Sequence, residues 1–259
     1  MKTSRERLTV GRRGETDLTL RHKSVYDLCG KFALGKRVLD LGCGDGYGSF
    51  LLAQRAKEVV GIDIDRLTIE NAKKKYKFKN LSFYTQDISS LSAVKLFDLV
   101  VSLQVIEHIN DDHGFLSQIK KVLKKNGTLI LTTPNRKLRL NDGQKPWNPF
   151  HVREYDQKQF ERLLSDYFKD VKIWGLSASG STYDTEIKRL RIRKTISRFD
   201  PLGLYNLIPE RWTTLAFGLI KKIIIPNSNN RKGELSVKDF FITKKEVNKA
   251  FDLIAVCRN

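Results

Sequence analysis

From about residue 37 to residue 176, short apolar runs alternate with segments whose apolar residues recur at i, i+3 and i+4. The strand candidates are RVLDLG, EVVGID, LSFYTQ, FDLVVSL, GTLILTT and FKDVKIWGL; the helix candidates between them are YGSFLLAQRA, RLTIENAKKKY, HGFLSQIKKVLKK and DQKQFERLLSDY. Such a succession, with short connections, folds as a doubly wound α/β sheet, mostly parallel, whose ligands bind at the carboxyl ends of the strands. Residues 1–36 precede the first strand, are basic, and are expected to supply a helical cap beside or over the site. Past Leu176 the alternation stops. Residues 178–250 hold two helix candidates, TEIKRLRIRKTISRF and PERWTTLAFGLIKKIII, and the run FDLIAVCRN is expected to return to the sheet beside VKIWGL. That pairing makes residues 37–177 and 251–259 one core, and residues 178–250 a basic insertion between the last two strands.

The chain has 48 Lys and Arg against 29 Asp and Glu, a formal net charge of +19. With 40% hydrophobic and 30% charged residues among 259, it can build a large core, which excludes an intrinsically disordered chain. The start, MKTSRERLTVGRRGE, lacks the apolar stretch of a secretory signal. The longest apolar run, LAFGLIKKIII, is broken by Lys221 and Lys222 and falls short of the roughly 20 residues a bilayer requires. Cys29, Cys43 and Cys257 are widely separated, with neither a disulfide framework nor metal-ligand spacing. A reducing, cytoplasmic setting is expected.

VLDLGCGDGYG, residues 38–48, places Gly42, Gly44 and Gly46 at alternate positions between a strand and a helix. Glycines in such a turn let the backbone approach a ligand and aim free N–H groups at it. A dinucleotide fingerprint needs G-x-G-x-x-G, but Tyr47 stands where its third glycine would be. Asp40, two residues before Gly42, suits a cationic or amino-bearing ligand and repels a pyrophosphate. Asp63, at the end of the second strand candidate, can accept both hydroxyls of a ribose, and Asp87, beside the apolar Ile88, can accept from an adenine amino group. Together these describe a pocket for a nucleoside that carries positive charge and no phosphate.

These motifs resemble the class I S-adenosylmethionine-dependent methyltransferases, over roughly residues 22–176 and again at FDLIAVCRN. The resemblance implies a Rossmann-like seven-stranded sheet with its last strand antiparallel, and S-adenosyl-L-methionine as cofactor. It implies a cofactor site of Asp40, Gly42, Cys43, Gly44, Asp63, Ile64, Asp87, Ile88 and Gln104. More narrowly, TTPNR, NPFHVREYDQKQFERLL and DFFITKKEVNKAFDLIAVCRN are similar to the type 11 methyltransferases of bacterial cell-surface polysaccharide clusters. Some of these carry His-x-x-Arg-Tyr before the glycine loop; His22 and Tyr26 match it and join the implied cofactor site, while Val25 replaces the Arg.

Methyl transfer to a hydroxyl depends on positioning and on a base of near-neutral pKa, for which histidine is suited. His151, in a loop after the fifth strand candidate, and His108, after the fourth, are the catalytic candidates; a loop-fixing bond and a helix cap are their plainer roles. His113 is expected only to decorate a helix start. Glu107 and His108 are adjacent, neighbours on a helix face different ways, and no second His/Glu pair stands at ligand spacing, so no metal is expected. The expected acceptor is a glycan-like or small-molecule hydroxyl compound.

Between Lys188 and Lys232 there are eleven Lys and Arg against Asp200 and Glu210. Such a stretch attracts polyanions or forms a solvated basic face. Trp212, Leu215, Phe217, Leu219 and Ile220 among those cations suit peripheral contact with an anionic membrane. An RNA acceptor is the alternative, and a non-catalytic cofactor-binding partner or regulatory subunit a second.

Overall fold

In a computed structural model, the structure describes residues 17–91, 96–199 and 236–259. The order is α1 (Asp17–Ala33), β1 (Arg37–Leu41), α2 (Tyr47–Ala53), β2 (Glu58–Asp63), α3 (Arg66–Lys75), β3 (Leu81–Thr85), β4 (Phe97–Leu103), α4 (Asp112–Val122), β5 (Leu123–Pro134), α5 (Arg136–Arg139), α6 (Gln157–Ser165), β6 (Asp170–Ala178), α7 (Gly180–Phe199), β7 (Phe240–Thr243) and β8 (Asp252–Arg258). The sheet runs β3-β2-β1-β4-β5-β8-β6-β7. β1 to β5 pair in parallel, and β8 lies antiparallel to both β5 and β6. This is the Rossmann-like arrangement expected.

The sheet has eight strands, not seven. The additional one is β7, antiparallel to β6 at the sheet edge. Its apolar run FFIT is four residues long between Asp239 and Lys244, too short to read as a strand by periodicity. The stretch expected as an insertion therefore contributes to the sheet, and α7 matches the first helix expected there. The second, PERWTTLAFGLIKKIII, lies outside the described residues. A smaller difference is at α4, which stops at Val122; Leu123 already pairs with Phe97 in β5, and the register then shifts before Leu99 meets Thr128.

β1 shows why the layers form. Leu39 and Leu41 join the core made with Phe115, Leu116 and Ile119 of α4 and Phe160 and Leu163 of α6. Val38, on the other face, joins Leu20, Val25 and Cys29 of α1 and Leu52 of α2. The period-two alternation thus feeds two apolar layers, as a parallel sheet covered on both faces requires. Helix starts are fixed by side-chain caps: Asp65 accepts from Thr68 N (2.7 Å), Asp111 from Gly114 N (2.8 Å), and Asp156 with Gln159 forms a capping box. Cys29, Cys43 and Cys257 are buried free thiols. Among the described residues no helix is long and apolar enough to cross a membrane.

Candidate functional site

The glycine loop joins β1 to α2 at the carboxyl edge of the sheet. Gly42 N and Cys43 N both donate to Ile62 O of β2, at 2.8 and 3.0 Å, which pins the loop across the strand ends. Gly42 has φ +73°, and a Cβ there would lie 2.4 Å from Val105, so the first glycine is required by both backbone and space. Gly44 differs: a Cβ built on it meets nothing within 4 Å, so its outer side is open. Beside that opening stands Asp63, nearly buried, whose Oδ2 accepts from Gly44 N (3.0 Å) and whose Oδ1 accepts from Asp65 N (3.0 Å). Ile64 is half exposed next to it. Asp87, exposed, caps the turn after β3 by accepting from Ser89 N and Oγ (2.9 and 2.8 Å), with Ile88 buried behind it.

Asp40 departs from the sequence expectation. It is completely buried, and its carboxylate accepts from Ser49 Oγ (2.6 Å) and Tyr26 Oη (3.2 and 3.3 Å). With no exposed surface it touches no ligand directly in this conformation; it braces the loop from beneath. Burial pushes its carboxyl up to about 6. Tyr26 is likewise buried, so it belongs to the same brace. His22, half-buried on α1, is held neutral, its imidazole lowered to about 4 by burial and then by the Arg21 charge.

At the end of β4, Gln104 takes φ +55°, an uncommon conformation for a side-chain-bearing residue. Its amide N donates to Thr132 O (3.1 Å), and its Nε2 to Thr132 Oγ1 (3.2 Å), locking the turn to β5. Next comes a 3-10 turn, Ile106–His108. Glu107 there is fully buried, accepts from Thr133 Oγ1 (3.2 Å) through Oε2, and leaves Oε1 without a partner. Burial pushes its carboxyl up to about 8.

His108 and His151 converge on Glu107. The loop carrying His151 is stapled to the turn by Val152 N donating to Glu107 O (2.8 Å), and by Arg153 Nη2 donating to Asn110 O (2.6 Å). His108 Nδ1 lies 3.0 Å from Phe150 O, His151 Nδ1 lies 2.8 Å from Glu154 Oε1, and the two rings meet edge to face at 4.8 Å. Glu154 is buried and accepts from Arg139 Nε through both oxygens, at 3.0 and 2.9 Å. Burial alone would raise its carboxyl, but His151 and Arg139 outweigh that and hold it below the ordinary range. The expectation that Glu107 and His108 face apart is overturned: in a 3-10 turn met by a loop, one donor atom each of Glu107, His108 and His151 lie within 4.8 Å of one another. The sequence pairs Glu107 with His108 only as chain neighbours and leaves His151 apart from them. The available signal was that β4 and β5 are neighbours, so the loops leaving their carboxyl ends must meet. His113 keeps the modest role expected, bonding Tyr167 Oη at 2.8 Å near the start of α4.

Residues 34–175 match the methyltransferase domain family. The chain is 34% identical over 159 residues to a probable S-adenosylmethionine-dependent methyltransferase of Mycolicibacterium smegmatis, covering 61% of this chain and 62% of that protein. It is 36% identical over 106 residues to a ubiquinone biosynthesis O-methyltransferase of Pelagibacter ubique, covering 40% and 44%. It thus spans less than two thirds of the length of these relatives. Among solved structures, magnesium protoporphyrin IX methyltransferase from Synechocystis with bound S-adenosylhomocysteine is similar in fold, with a TM-score of 0.52, 21% identity, and coverage of 66% of this chain and 84% of that one. With its strand order, glycine loop and more than half its length in agreement, the chain belongs to the methyltransferase domain family.

Proposed function

We propose that this protein is an S-adenosylmethionine-dependent O-methyltransferase whose acceptor is a hydroxyl of a glycan-like or small molecule. The observation that carries the cofactor assignment is the open side of Gly44 next to the Asp63 carboxylate, in a loop whose first glycine is packed against Val105. The cofactor, when bound, supplies an electrophilic methyl group on a sulfonium that leaves as a neutral thioether. Asp63 accepts the ribose hydroxyls, Ile64 and Ile88 flank the adenine, and Asp87 accepts from its amino group. With their N–H groups held by Ile62 O and Asp63, Gly42, Cys43 and Gly44 line the methionine portion with their backbone, and Gln104 and His22 border it. Asp40 and Tyr26 hold the loop in shape. On the acceptor side, His151 or His108 receives the hydroxyl proton as the oxygen–carbon bond forms.

The hydroxyl acceptor is supported by the name of the Pelagibacter relative, an O-methyltransferase. The setting in cell-surface polysaccharide biosynthesis rests on the resemblance of NPFHVREYDQKQFERLL and DFFITKKEVNKAFDLIAVCRN alone. Peripheral contact with an anionic membrane through the basic residues 178–250 belongs to the same proposal.

Calorimetric titration with S-adenosylhomocysteine tests the pocket. Wild-type protein is expected to bind it, and Asp63→Ala to weaken binding by about tenfold or more, the loss of a charged hydrogen bond to ribose; unchanged affinity removes Asp63 from the site. Radiolabelled methyl transfer into fractionated extracts tests the acceptor. Label in glycan or lipid supports it, and label in RNA replaces it with the nucleic-acid reading.

A further inference from the structure

We propose that Glu107, His108 and His151 form a binding site for one divalent transition-metal ion at the carboxyl ends of β4 and β5. One donor atom from each residue lies within 4.8 Å of the other two. Bonds of about 2.0–2.2 Å to a shared ion bring such donors slightly closer together, a movement that side-chain torsions supply.

Two independent features point to an occupant. The first is Glu107 Oε1, buried and without a hydrogen-bond partner, while its twin oxygen is held by Thr133. A buried carboxylate oxygen left unmatched is costly and calls for a partner. The second is how the imidazoles are oriented. His108 Nδ1 faces a backbone carbonyl and His151 Nδ1 faces the Glu154 carboxylate, which is itself clamped by Arg139. An N–H at Nδ1 donated to a carbonyl or carboxylate puts the lone pair on Nε2, the arrangement by which metal-ligating histidines are fixed.

The donor set selects the ion. Two imidazoles and one carboxylate suit zinc and its transition-metal neighbours, whereas magnesium and calcium take oxygen ligands. Three protein ligands leave a coordination position for an exogenous oxygen. Val105, two residues before Glu107, packs against Gly42 of the glycine loop, so that position adjoins the cofactor side. If the methyl-transfer reading holds, an acceptor hydroxyl on the ion ionises more easily. With both imidazoles engaged by the ion, the proton passes to solvent in place of His108 or His151, the oxygen bonds the methyl carbon, and the carbon–sulfur bond breaks.

The test is calorimetric titration of the chelator-treated full chain with Zn²⁺, together with the visible spectrum after Co²⁺ addition. About one equivalent of saturable binding and Co²⁺ ligand-field bands are expected. His108→Ala, His151→Ala and Glu107→Gln are each expected to weaken Zn²⁺ binding by about tenfold or more. Circular dichroism and S-adenosylhomocysteine binding report whether each variant folds, and His108→Ala, at a half-exposed position, keeps the test readable if Glu107→Gln does not fold. Absence of saturable binding overturns the proposal, as does Zn²⁺ affinity unchanged in folded His108→Ala and His151→Ala. The metal titration requires no cofactor, so this site and the methyl-transfer reading fail separately.

Discussion

Asn135 shows how much one polar side chain can organise. Fully buried, it donates from Nδ2 to Val247 O, Asn248 O and Ala250 O at 3.3, 3.3 and 2.7 Å, while its Oδ1 accepts from Lys137 N at 3.1 Å to cap α5. Asn135→Ala strands several buried carbonyls and is expected to cost about 2–3 kcal/mol, measured by chemical denaturation. Asp40 carries a pH signature. Its carboxyl, at about 6 in the fold, titrates near 3.9 in an unfolded chain. Its contribution to stability is therefore complete below about pH 4 and is lost as pH rises through 6. Asp40→Asn cannot ionise, so it should gain on the wild type by about 2–3 kcal/mol between pH 4 and pH 7; an equal difference at both pH values would mean an ordinary carboxyl. At this scale the places of the glycines, between β1 and α2, and of Asp63, at the end of β2, were legible from the strand and helix periods. The burial of Asp40 was not legible, because its neighbours are set by which helix covers its face of β1, and Tyr26 reaches it from a separate element.

Among elements, the docking of α1 on α2 depends on one missing side chain. A Cβ at Gly48 would sit 1.9 Å from the Tyr26 ring, and Tyr26 also meets Tyr47 edge to face at 5.5 Å. Gly48→Ala is expected to destabilise the fold by about 1–3 kcal/mol, the usual cost of overpacking. Combined with Tyr26→Ala, the loss should fall short of the sum of the single changes, because the second substitution opens the space the first requires. Full additivity in thermal denaturation would place the two residues in separate contacts. The long strands and amphipathic helices of the core were readable from periodicity. β7 was not, being a four-residue edge strand defined by its pairing with β6, and the end of α4 was overrun because its Lys-rich continuation suits a helix as well as the strand it enters.

Across the molecule, the N-terminal helix and the C-terminal half of the sheet share one buried charge. Arg21 pairs with Asp17 of α1 at 2.7 Å and Glu186 of α7 at 3.0 Å, and its guanidinium lies over the Phe251 ring at 4.5 Å. β8, which follows Phe251, is hydrogen-bonded to β5 on one side and β6 on the other. Deleting residues 251–259 should therefore abolish the cooperative thermal transition; a retained one would show that β1 to β5 stand as an independent unit. The overall topology was visible in the sequence because FDLIAVCRN is too apolar to remain outside a sheet. Its place also fixes a timetable. During synthesis β6 leaves the ribosome long before the strand that will separate it from β5, so the growing chain carries two waiting edges, each an invitation to wrong partners. The completed sheet closes when a late segment enters its middle.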